Sequence, residues 1–345
     1  VSMCPIHESE GIITPNGLFF LRYHGGTAHI DPKDWRLVIH GKVKKEIVLT
    51  LEDLQKYPSE TRIYFIECPA NGSPEWRGPQ FNSLQFMKGL MSAAQWTGVM
   101  LKTILEDLGL EKDAVWMLAE GSDNASNPRS IPVDKAMDDI MVVWGQNGEA
   151  LRPEQGYPVR LIVPGWEGNL NTKWLRRLEF SDKPWHSKEE TSKYTMLQKS
   201  GKAIRFFWVN EVNSVITSPC PEKPWTHLKK GEMVEIEGLA WSGHGTIKGV
   251  DISFDGGDNW VEAKLKGLVL PKSWTRFSYI IKWEGKPLIL ASRSYDDFGN
   301  IQPTIDEETS AVGVESVYHR NAIVTWEITN KGECNNVQIR KHKKA

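Results

Sequence analysis

The sequence predicts two folded units, an α+β domain over residues 1–198 and an all-β domain over residues 199–330, followed by a polar tail over residues 331–345. The first unit mixes short β-rich runs with a stretch of clear helical spacing at residues 101–108. The second unit consists of short strand-like runs separated by glycine-rich turns, and its turn DGGD at residues 255–258 is a strong hairpin signal. This spacing is typical of a β-sandwich.

Length and composition describe an ordinary globular protein with room for two cores. The chain has 345 residues, and its 42 Lys and Arg residues nearly balance 44 Asp and Glu residues, for a net charge of −2. Charge therefore gives no reason to expect nucleic acid or an acidic membrane surface as a partner. No apolar run approaches the roughly 20 residues that a membrane helix needs.

The four cysteines form no CxxC pair and no CxxCH haem attachment site, so zinc and covalent haem are poorly supported. A disulfide among Cys4, Cys220 and Cys334 is left open. Free surface thiols are the expectation for Cys4 and Cys334, which lie near the two termini.

The elements of the first unit follow from local pattern. Residues 35–39 and 43–50 predict short strands, and Thr50 and Asp53 then stand at the N-cap and N3 positions of a brief helix. Residues 95–99 predict a turn, 101–108 a helix, and 114–119 and 140–145 further strands. The charged residues 182–197 predict a solvated connector, except at Trp185, His186 and Tyr194.

The elements of the second unit are all strands. They are predicted over residues 234–240, 247–254, 260–263, 275–283, 288–295 and 321–328. The tail ends in a lysine-rich run at residues 341–344, for which we expect a frayed, solvated end.

Cys68 stands where a predicted strand ends and a loop begins. Residues 62–67 are β-branched and aromatic, whereas Pro69, Asn71, Gly72 and Pro74 are loop residues. Binding and catalytic groups tend to be mounted at such positions, and a thiolate there can act as nucleophile, redox group or soft metal ligand. A cysteine that only fills the core is the competing interpretation.

Two further segments of the sequence carry a cation for which a binding partner is expected. Arg160 lies inside the otherwise apolar strand GYPVRLIVP at residues 156–164, where a buried charge needs an ion pair or a bound phosphate. The apolar residues 18–21 run directly into Arg22, Tyr23 and His24. This segment predicts either a surface loop with a hydrophobic anchor or a cationic finger folded over an anion.

Several segments together resemble the sulfite oxidase family of molybdopterin oxidoreductases. The resemblance rests on the Arg22-Tyr23-His24 run, Cys68, Asp123, the GYPVR strand and the NTKWL loop at residues 171–175. The segment LAWSGHGTIKGVDISFDGGDNW and the WTRF run at residues 274–277 are similar to the family's immunoglobulin-like dimerisation domain. Within the family, GIITPNGLFF, ECPANGSPEW, GWEGNLNTKWLRRL and EETSKYT most resemble the molybdenum subunits of sulfane dehydrogenases. The resemblance covers nearly the whole chain.

The resemblance implies a fold and a set of site residues. The fold is a sulfite-oxidase-type molybdopterin-binding domain of class α+β, followed by an immunoglobulin-like β-sandwich dimerisation domain. The cofactor is one molybdopterin with a molybdenum oxo centre, and Cys68 is the protein ligand of the metal. Cys68, Arg22 and Lys173 are the implied catalytic residues. The implied cofactor-binding residues are Phe20, Arg22, Tyr23, His24, Cys68, Asp123, Gln155, Arg160, Asn171, Thr172 and Lys173.

The sequence departs from sulfite oxidases at several places. Ser73 stands where those enzymes place an arginine of the anion pocket, and Tyr23 replaces an asparagine. Gln155 and Asn171 stand at positions of histidines. The family's active-site tyrosine aligns best with Trp185 or His186. Fewer cations weaken the hold on a free dianion, which favours a substrate delivered on a carrier.

The implied activity is oxidation of sulfane sulfur bound to a carrier protein, with electrons passing to a monohaem or dihaem cytochrome c subunit. The resemblance further implies a homodimer formed through the second domain, without membrane insertion or nucleic acid binding. It also implies twin-arginine export to the periplasm and removal of the leader. Two alternatives stay open: a sulfite dehydrogenase acting on free sulfite, and a cofactor-free immunoglobulin-like interaction protein.

Overall fold

A computed structural model describes residues 1–125 and 127–340. The last five residues, which include the lysine run predicted to fray, lie outside the described part. Among the described residues, no helix is long and apolar enough to cross a membrane.

The first domain is built from short strands and few helices. Its strands are β1 (Leu37–Gly41), β2 (Ile47–Leu49), β3 (Ser59–Glu67), β4 (Met91–Met100), β5 (Trp116–Gly121), β6 (Arg129–Pro132), β7 (Met141–Gln146), β8 (Glu149–Ala150), β9 (Arg160–Ile162) and β10 (Leu175–Ser181). Its helices are α1 (Leu51–Leu54), α2 (Leu84–Lys88), α3 (Leu101–Leu108), α4 (Val133–Ala136) and α5 (Lys188–Ser192). The predicted cap of α1 is confirmed, since Thr50 and Asp53 form a reciprocal capping box.

Two sheets frame the core of this domain. One has the strand order β2-β1-β10-β5-β6, with β1 and β10 parallel, and the other has the order β3-β4-β7-β8, with β9 also paired to β7. A shared apolar cluster includes Leu37 of β1, Leu178 of β10, Val142 of β7 and Ile104 of α3. The core therefore lies where both sheets and α3 meet.

The turn predicted at residues 95–99 is wrong, because these residues lie inside β4. This strand pairs with β3 on one side and β7 on the other. Gly98, within this segment, is required by packing: a Cβ there would lie 2.2 Å from the carbonyl oxygen of Val142. Sheet pairing on both edges thus overrides the local signal.

The second domain is the predicted sandwich. A small ribbon of β11 (Met196–Leu197) and β12 (Ala203–Ile204) precedes it, and its strands are β13 (Asn213–Ser218), β14 (Glu232–Trp241), β15 (Ile247–Ser253), β16 (Val261–Glu262), β17 (Lys264–Lys266), β18 (Thr275–Trp283), β19 (Leu288–Asp296), β20 (Thr325–Ile328) and β21 (Cys334–Val337). The sheets have the orders β13-β14-β18-β17 and β16-β15-β19-β20-β21. Helix α6 (Ile305–Val312) joins β19 to β20. Buried Trp241, Phe277, Leu290 and Trp326 contribute to one apolar cluster.

Two features of this domain can be compared directly with the predictions made from the sequence. The DGGD hairpin is confirmed between β15 and β16, where Asp255 Oδ1 accepts hydrogen bonds from the backbone N–H groups of Asp258 and Asn259. The stretch predicted as tail from residue 331 contains β21, which pairs with β20 and so extends the sheet beyond residue 330.

The cysteines differ from expectation at both termini. All four are free, so no disulfide joins Cys4, Cys220 and Cys334. Cys4 and Cys334 are 0% and 4% exposed, so the prediction of surface thiols is wrong. Both are surrounded by apolar side chains of the same core cluster and act as small hydrophobic residues.

Candidate active site

Cys68 directly follows β3, and backbone hydrogen bonds fix it there. Its N–H donates to the carbonyl of Leu90 at 2.9 Å, and its carbonyl accepts from the N–H of Asn71 at 2.8 Å. Unlike the other three cysteines, it is only partly buried. Burial raises the pKa of its thiol to about 11, with smaller lowering effects from the backbone N–H of Ala70 and the charge of Arg22.

Cys68 borders a cavity with an empty volume of about 880 Å³, including the part open to solvent. All eleven residues of the predicted site line it, although they come from segments as distant as residues 20 and 173. Their role in holding a cofactor stays a prediction. The fold accounts for the convergence: β3, β5 and β9 border the loops that carry them, and the chain enters β10 from the loop at residues 168–174.

Arg160 is 3% exposed and points its guanidinium toward neutral groups. Nη1 donates to the backbone and side-chain oxygens of Gln155 at 3.0 and 3.3 Å, and Nη2 donates to the carbonyl of Asn171 at 3.1 Å. Within residues 1–125 and 127–340 it forms no ion pair, and its Nε has no hydrogen-bond partner. Burial lowers its pKa to about 9. Of the two partners predicted for this charge, an ion pair is therefore absent from the described structure.

Lys173 is a second cation of this cavity that no carboxylate pairs among the described residues. Its Nζ donates to the carbonyls of Glu154 and Arg22 at 3.0 and 3.3 Å and lies 4.6 Å from the ring centroid of Trp174. Burial, followed by the charge of Arg160, lowers its pKa to about 7. Two neighbouring cations that each lose stability by burial make the wall attractive to an anion.

The neutral polar residues of the wall hold these cations in place. Gln155 donates from Nε2 to the carbonyl of Phe20 at 3.2 Å while it accepts from Arg160. Asn171 uses its side chain to hold the loop, accepting from the N–H of Val163 at 2.8 Å and donating to the carbonyl of Glu167 at 3.0 Å. Both side chains replace the histidines expected from the family, and both position groups rather than contribute charge.

The structure places neither of the two residues that align best with the family's tyrosine in the wall of the cavity. Trp185 and His186 do not line the cavity; the Trp185 N–H donates to Ser130 Oγ, and His186 packs on Phe206. Tyr194 lines it instead, with its hydroxyl 3.4 Å from His24 Nε2. Tyr194 was among the residues excepted from the solvated connector, and the EETSKYT run was the available signal.

The connector is also more ordered than predicted. Glu190 of α5 is fully buried, where it accepts hydrogen bonds from the N–H and hydroxyl of Ser130 and forms an ion pair with Arg129. The guanidinium of Arg129 lies 4.7 Å from the ring centroid of Tyr194. Arg129 thus contacts Tyr194, and Glu190 in turn pairs with Arg129. Neither residue was predicted from the sequence, because no local pattern indicates these contacts.

The residues present fit a molybdopterin. The buried Nε of Arg160 without a partner and the unpaired charge of Lys173 suit the terminal phosphate of such a cofactor. The partly exposed thiol of Cys68 suits a soft metal, and Phe20, Tyr23 and Trp174 provide aromatic faces in the same wall. The donor set therefore matches the predicted ligand in charge and softness.

Comparison with known proteins identifies the class. Residues 24–189 match the model of the oxidoreductase molybdopterin binding domain, and residues 205–326 match the Mo-co oxidoreductase dimerisation domain. The chain is thus a molybdopterin-binding oxidoreductase with an attached dimerisation domain, as the cavity and the sandwich indicate.

The relatives narrow this class to a family. The sulfane dehydrogenase SoxCD of Paracoccus pantotrophus, a crystal structure, superposes with a TM-score of 0.95 at 46% identity, covering 98% of this chain and 86% of the other. Mitochondrial sulfite oxidase of Rattus norvegicus is 30% identical over 325 residues, and nitrate reductase of Ulva prolifera is 26% identical over 374 residues. The matches cover 86% and 97% of this chain, but only 58% and 41% of the length of these two relatives. The chain belongs to the sulfite oxidase family of molybdopterin oxidoreductases.

Proposed function

We propose that this chain is the molybdenum-binding subunit of a sulfane dehydrogenase, which oxidises sulfane sulfur on a carrier protein. The observation that carries the proposal is a pair of cations in the cavity that Cys68 borders, buried Arg160 and partly buried Lys173, which have no carboxylate partner among the described residues. The 46% identity to a protein titled sulfane dehydrogenase supports the choice of substrate class.

The cofactor would be a single molybdopterin with a molybdenum oxo centre. Cys68 would hold the metal through its sulfur, while Arg160 and Lys173 would hold the phosphate end. When bound, the cofactor supplies two-electron oxidation of a sulfur atom with oxygen derived from water. Asp123, Thr172 and Phe20 would line its sides from the same cavity wall.

The chain's own residues would bind and orient the substrate. Arg22 lines the cavity near Cys68, and its guanidinium forms no ion pair among the described residues, so it is available to a negatively charged sulfur group. The His24 imidazole is next to it; burial and the charge of Arg22 lower its pKa, so the neutral form is favoured near pH 7. Tyr194 then offers a hydroxyl at 3.4 Å from this ring. Arg22 would orient the substrate while His24 and Tyr194 provide neutral hydrogen-bonding groups beside it.

The residue at position 73 favours a carrier-bound substrate over free sulfite. Ser73 occupies the position at which sulfite oxidases place an arginine, and its hydroxyl is buried with no hydrogen-bond partner among the described residues. The site thereby loses one cation for a free dianion. A substrate tethered to a carrier needs less charge, because the protein surface adds binding energy and proximity.

The remaining parts of the proposal concern partners and location. Electrons would leave one at a time to a monohaem or dihaem cytochrome c subunit, in line with the SoxCD complex named for the structural relative. A homodimer would form through the second domain, whose family model is described as a dimerisation domain. By analogy with its family, the protein would act in the periplasm after twin-arginine export.

A substrate competition tests the proposal. The chain is produced with its cytochrome subunit in a host that makes molybdopterin, and molybdenum and pterin are quantified. Cytochrome reduction is then measured with thiosulfate-loaded carrier protein and with free sulfite. We expect kcat/KM to be at least about tenfold higher for the loaded carrier. Preference for free sulfite would assign the sulfite dehydrogenase alternative, and absence of molybdenum from folded protein would assign the interaction protein.

A further inference from the structure

We propose that the second domain is a positioning element of the candidate site, in which Trp241 and His319 hold the two residues that flank Cys68. The family model describes this domain by dimerisation alone. Contacts of this domain with the loops around Cys68 give it a second role, which needs only a single chain. The inference rests on Cys68 as the metal ligand proposed above, but its first test needs neither metal nor turnover.

Trp241 holds the residue before Cys68. It lies at the end of β14 and is 0% exposed, and its Nε1 donates at 2.7 Å to Oε2 of Glu67, the last residue of β3. The other carboxylate oxygen of Glu67 accepts from Asn71 Nδ2 at 2.8 Å. Glu67 is itself only 6% exposed. A buried carboxylate requires these donors, so the indole N–H of the second domain fixes where β3 ends.

His319 holds the residue after Cys68. Its backbone N–H donates at 2.8 Å to the carbonyl of Pro69, and its Nε2 contacts Oε1 of Glu167, a carboxylate that is 0% exposed. Glu167 precedes Gly168, where a Cβ would lie 3.4 Å from the Cα of Cys68. His319 therefore joins the Cys68 loop to the loop that carries Asn171 and Lys173.

A third contact aligns the same loop. Gly165 has φ +76° and lies against Gly243 so closely that a Cβ would meet the carbonyl oxygen of Gly243 at 2.1 Å. Asn210 joins the two segments, since its N–H donates to the Gly165 carbonyl and its carbonyl accepts from the Gly243 N–H, at 2.9 and 2.8 Å. Only glycine permits this approach of backbones. The second domain thus contacts both loops that border Cys68.

The arrangement has a mechanical consequence. Cys68 is held by backbone hydrogen bonds to Leu90 and Asn71, and its thiol interacts with the backbone N–H of Ala70, so its sulfur position depends on the segments on either side. Loss of the Trp241 contact should let residues 67–73 open locally, and loss of the His319 side-chain contact should let residues 165–174 open, while both domain cores stay folded. Trp241 and His319 are positioning residues, since neither touches the cavity that the substrate would enter.

Hydrogen exchange on the full-length, cofactor-free chain tests this. Trp241→Phe keeps the ring and removes the N–H. The loss of a hydrogen bond to a carboxylate is worth about 1.5–3 kcal/mol, so exchange of residues 67–73 should accelerate about tenfold or more. The matched control is Trp326→Phe, which removes an equally buried indole N–H that donates to the Ile216 carbonyl at 3.0 Å inside the sandwich. It should accelerate exchange around residues 214–218 and leave residues 67–73 within about twofold.

If Trp241→Phe does not fold, a second pair of variants tests the proposal. His319→Ala should accelerate exchange in residues 165–174, and His319→Gln, which retains a donor, should restore part of the protection. In the cofactor-loaded protein, the molybdenum X-ray absorption spectrum should change in Trp241→Phe and His319→Ala but not in Trp326→Phe. Equal acceleration of residues 67–73 in Trp241→Phe and Trp326→Phe, or no acceleration in either, would overturn the positioning role. Failure of the proposed substrate would appear in turnover alone and would leave these exchange rates unchanged.

Discussion

Two groups of buried or partly buried cations in this molecule have different surroundings. At the contact between the domains, Lys135 and Lys272 share the carboxylate of Asp139, with each Nζ 2.5 Å from one of its oxygens. In the cavity wall, Arg160 and Lys173 contact carbonyl oxygens and aromatic rings but no carboxylate of the described residues. Each cation of the first group has a carboxylate partner within the chain, whereas the cations of the second group have none among the described residues and leave positive charge for a molecule from outside. This difference separates a structural ion cluster from a binding site.

The cysteines show the same difference between a structural group and a group that can bind a ligand. Cys220 and Cys334 are buried among apolar side chains of the second domain, while Cys68 borders the cavity next to Arg22. A thiol that packs and a thiol that binds are the same chemical group, so their surroundings decide their roles.

The largest expected effect comes from Cys68→Ser. A hard hydroxyl is a poor ligand for a soft metal, so turnover should fall by more than about 100-fold, since even changes around a metal ligand cost 10- to 100-fold. Thermal unfolding should stay close to that of the parent chain. Cytochrome reduction, molybdenum content and melting temperature provide the measurement.

Cys220→Ser is the matched control for this substitution. It places the same hydroxyl at a packed cysteine, so it should lower the melting temperature and keep turnover within about twofold. Retained turnover with intact molybdenum in Cys68→Ser would contradict the assignment of the ligand.

The second prediction compares the two cation groups by stability and binding. Asp139→Asn leaves two ammonium groups without their partner and should destabilise the cofactor-free chain by about 3 kcal/mol or more. Arg160→Met should change the free energy of unfolding by less than about 2 kcal/mol, because relief from burying the charge offsets the lost hydrogen bonds. It should nevertheless lower molybdopterin content at least about tenfold through the lost charge-assisted contacts. Urea unfolding and pterin analysis provide the two measurements.

The opposite result would remove the difference between the two cation groups. If Arg160→Met destabilised the cofactor-free chain as much as Asp139→Asn and kept its pterin, Arg160 would be structural. Arg176→Met is the control for loss of an arginine, since the Arg176 side chain is about half exposed and has a carboxylate partner in Glu120. It should leave pterin content unchanged.

Local sequence pattern predicted those parts of the site that have a local cause. A charge inside the apolar strand of Arg160 and a cysteine at the end of a strand are visible in a few residues. The roles of Tyr194, Trp241 and His319 depend on contacts with residues more than 100 positions away, such as Tyr194 with His24 and Trp241 with Glu67. No window of sequence contains both partners of such a contact. The strand β4 was missed for the same reason, since its pairing on both edges decides its conformation.

The third prediction uses pH to separate Lys173 from a paired lysine. Its pKa in the folded, cofactor-free chain is lowered to about 7 by burial and by Arg160, against about 10.4 in an unfolded chain. Between these values the unfolded chain holds a proton that the folded chain has released, so the free energy of unfolding rises with pH in this window. Lys173→Met removes that contribution. The variant should be more stable than the parent by up to about 4 kcal/mol at pH 7, and the difference should shrink toward pH 10.

Urea unfolding at pH 7 and pH 9.5 measures this difference for the cofactor-free proteins. Lys56→Met is the control, because Lys56 is exposed and its pKa is raised by a hydrogen bond from its ammonium to Asp53, so no gain at pH 7 is expected. An unchanged pH dependence in Lys173→Met would mean that Lys173 keeps its proton through an anion already within the folded chain. In that case the cavity wall would be as self-sufficient as the Lys135–Asp139–Lys272 cluster, and the contrast between the two cation groups would no longer identify a binding site.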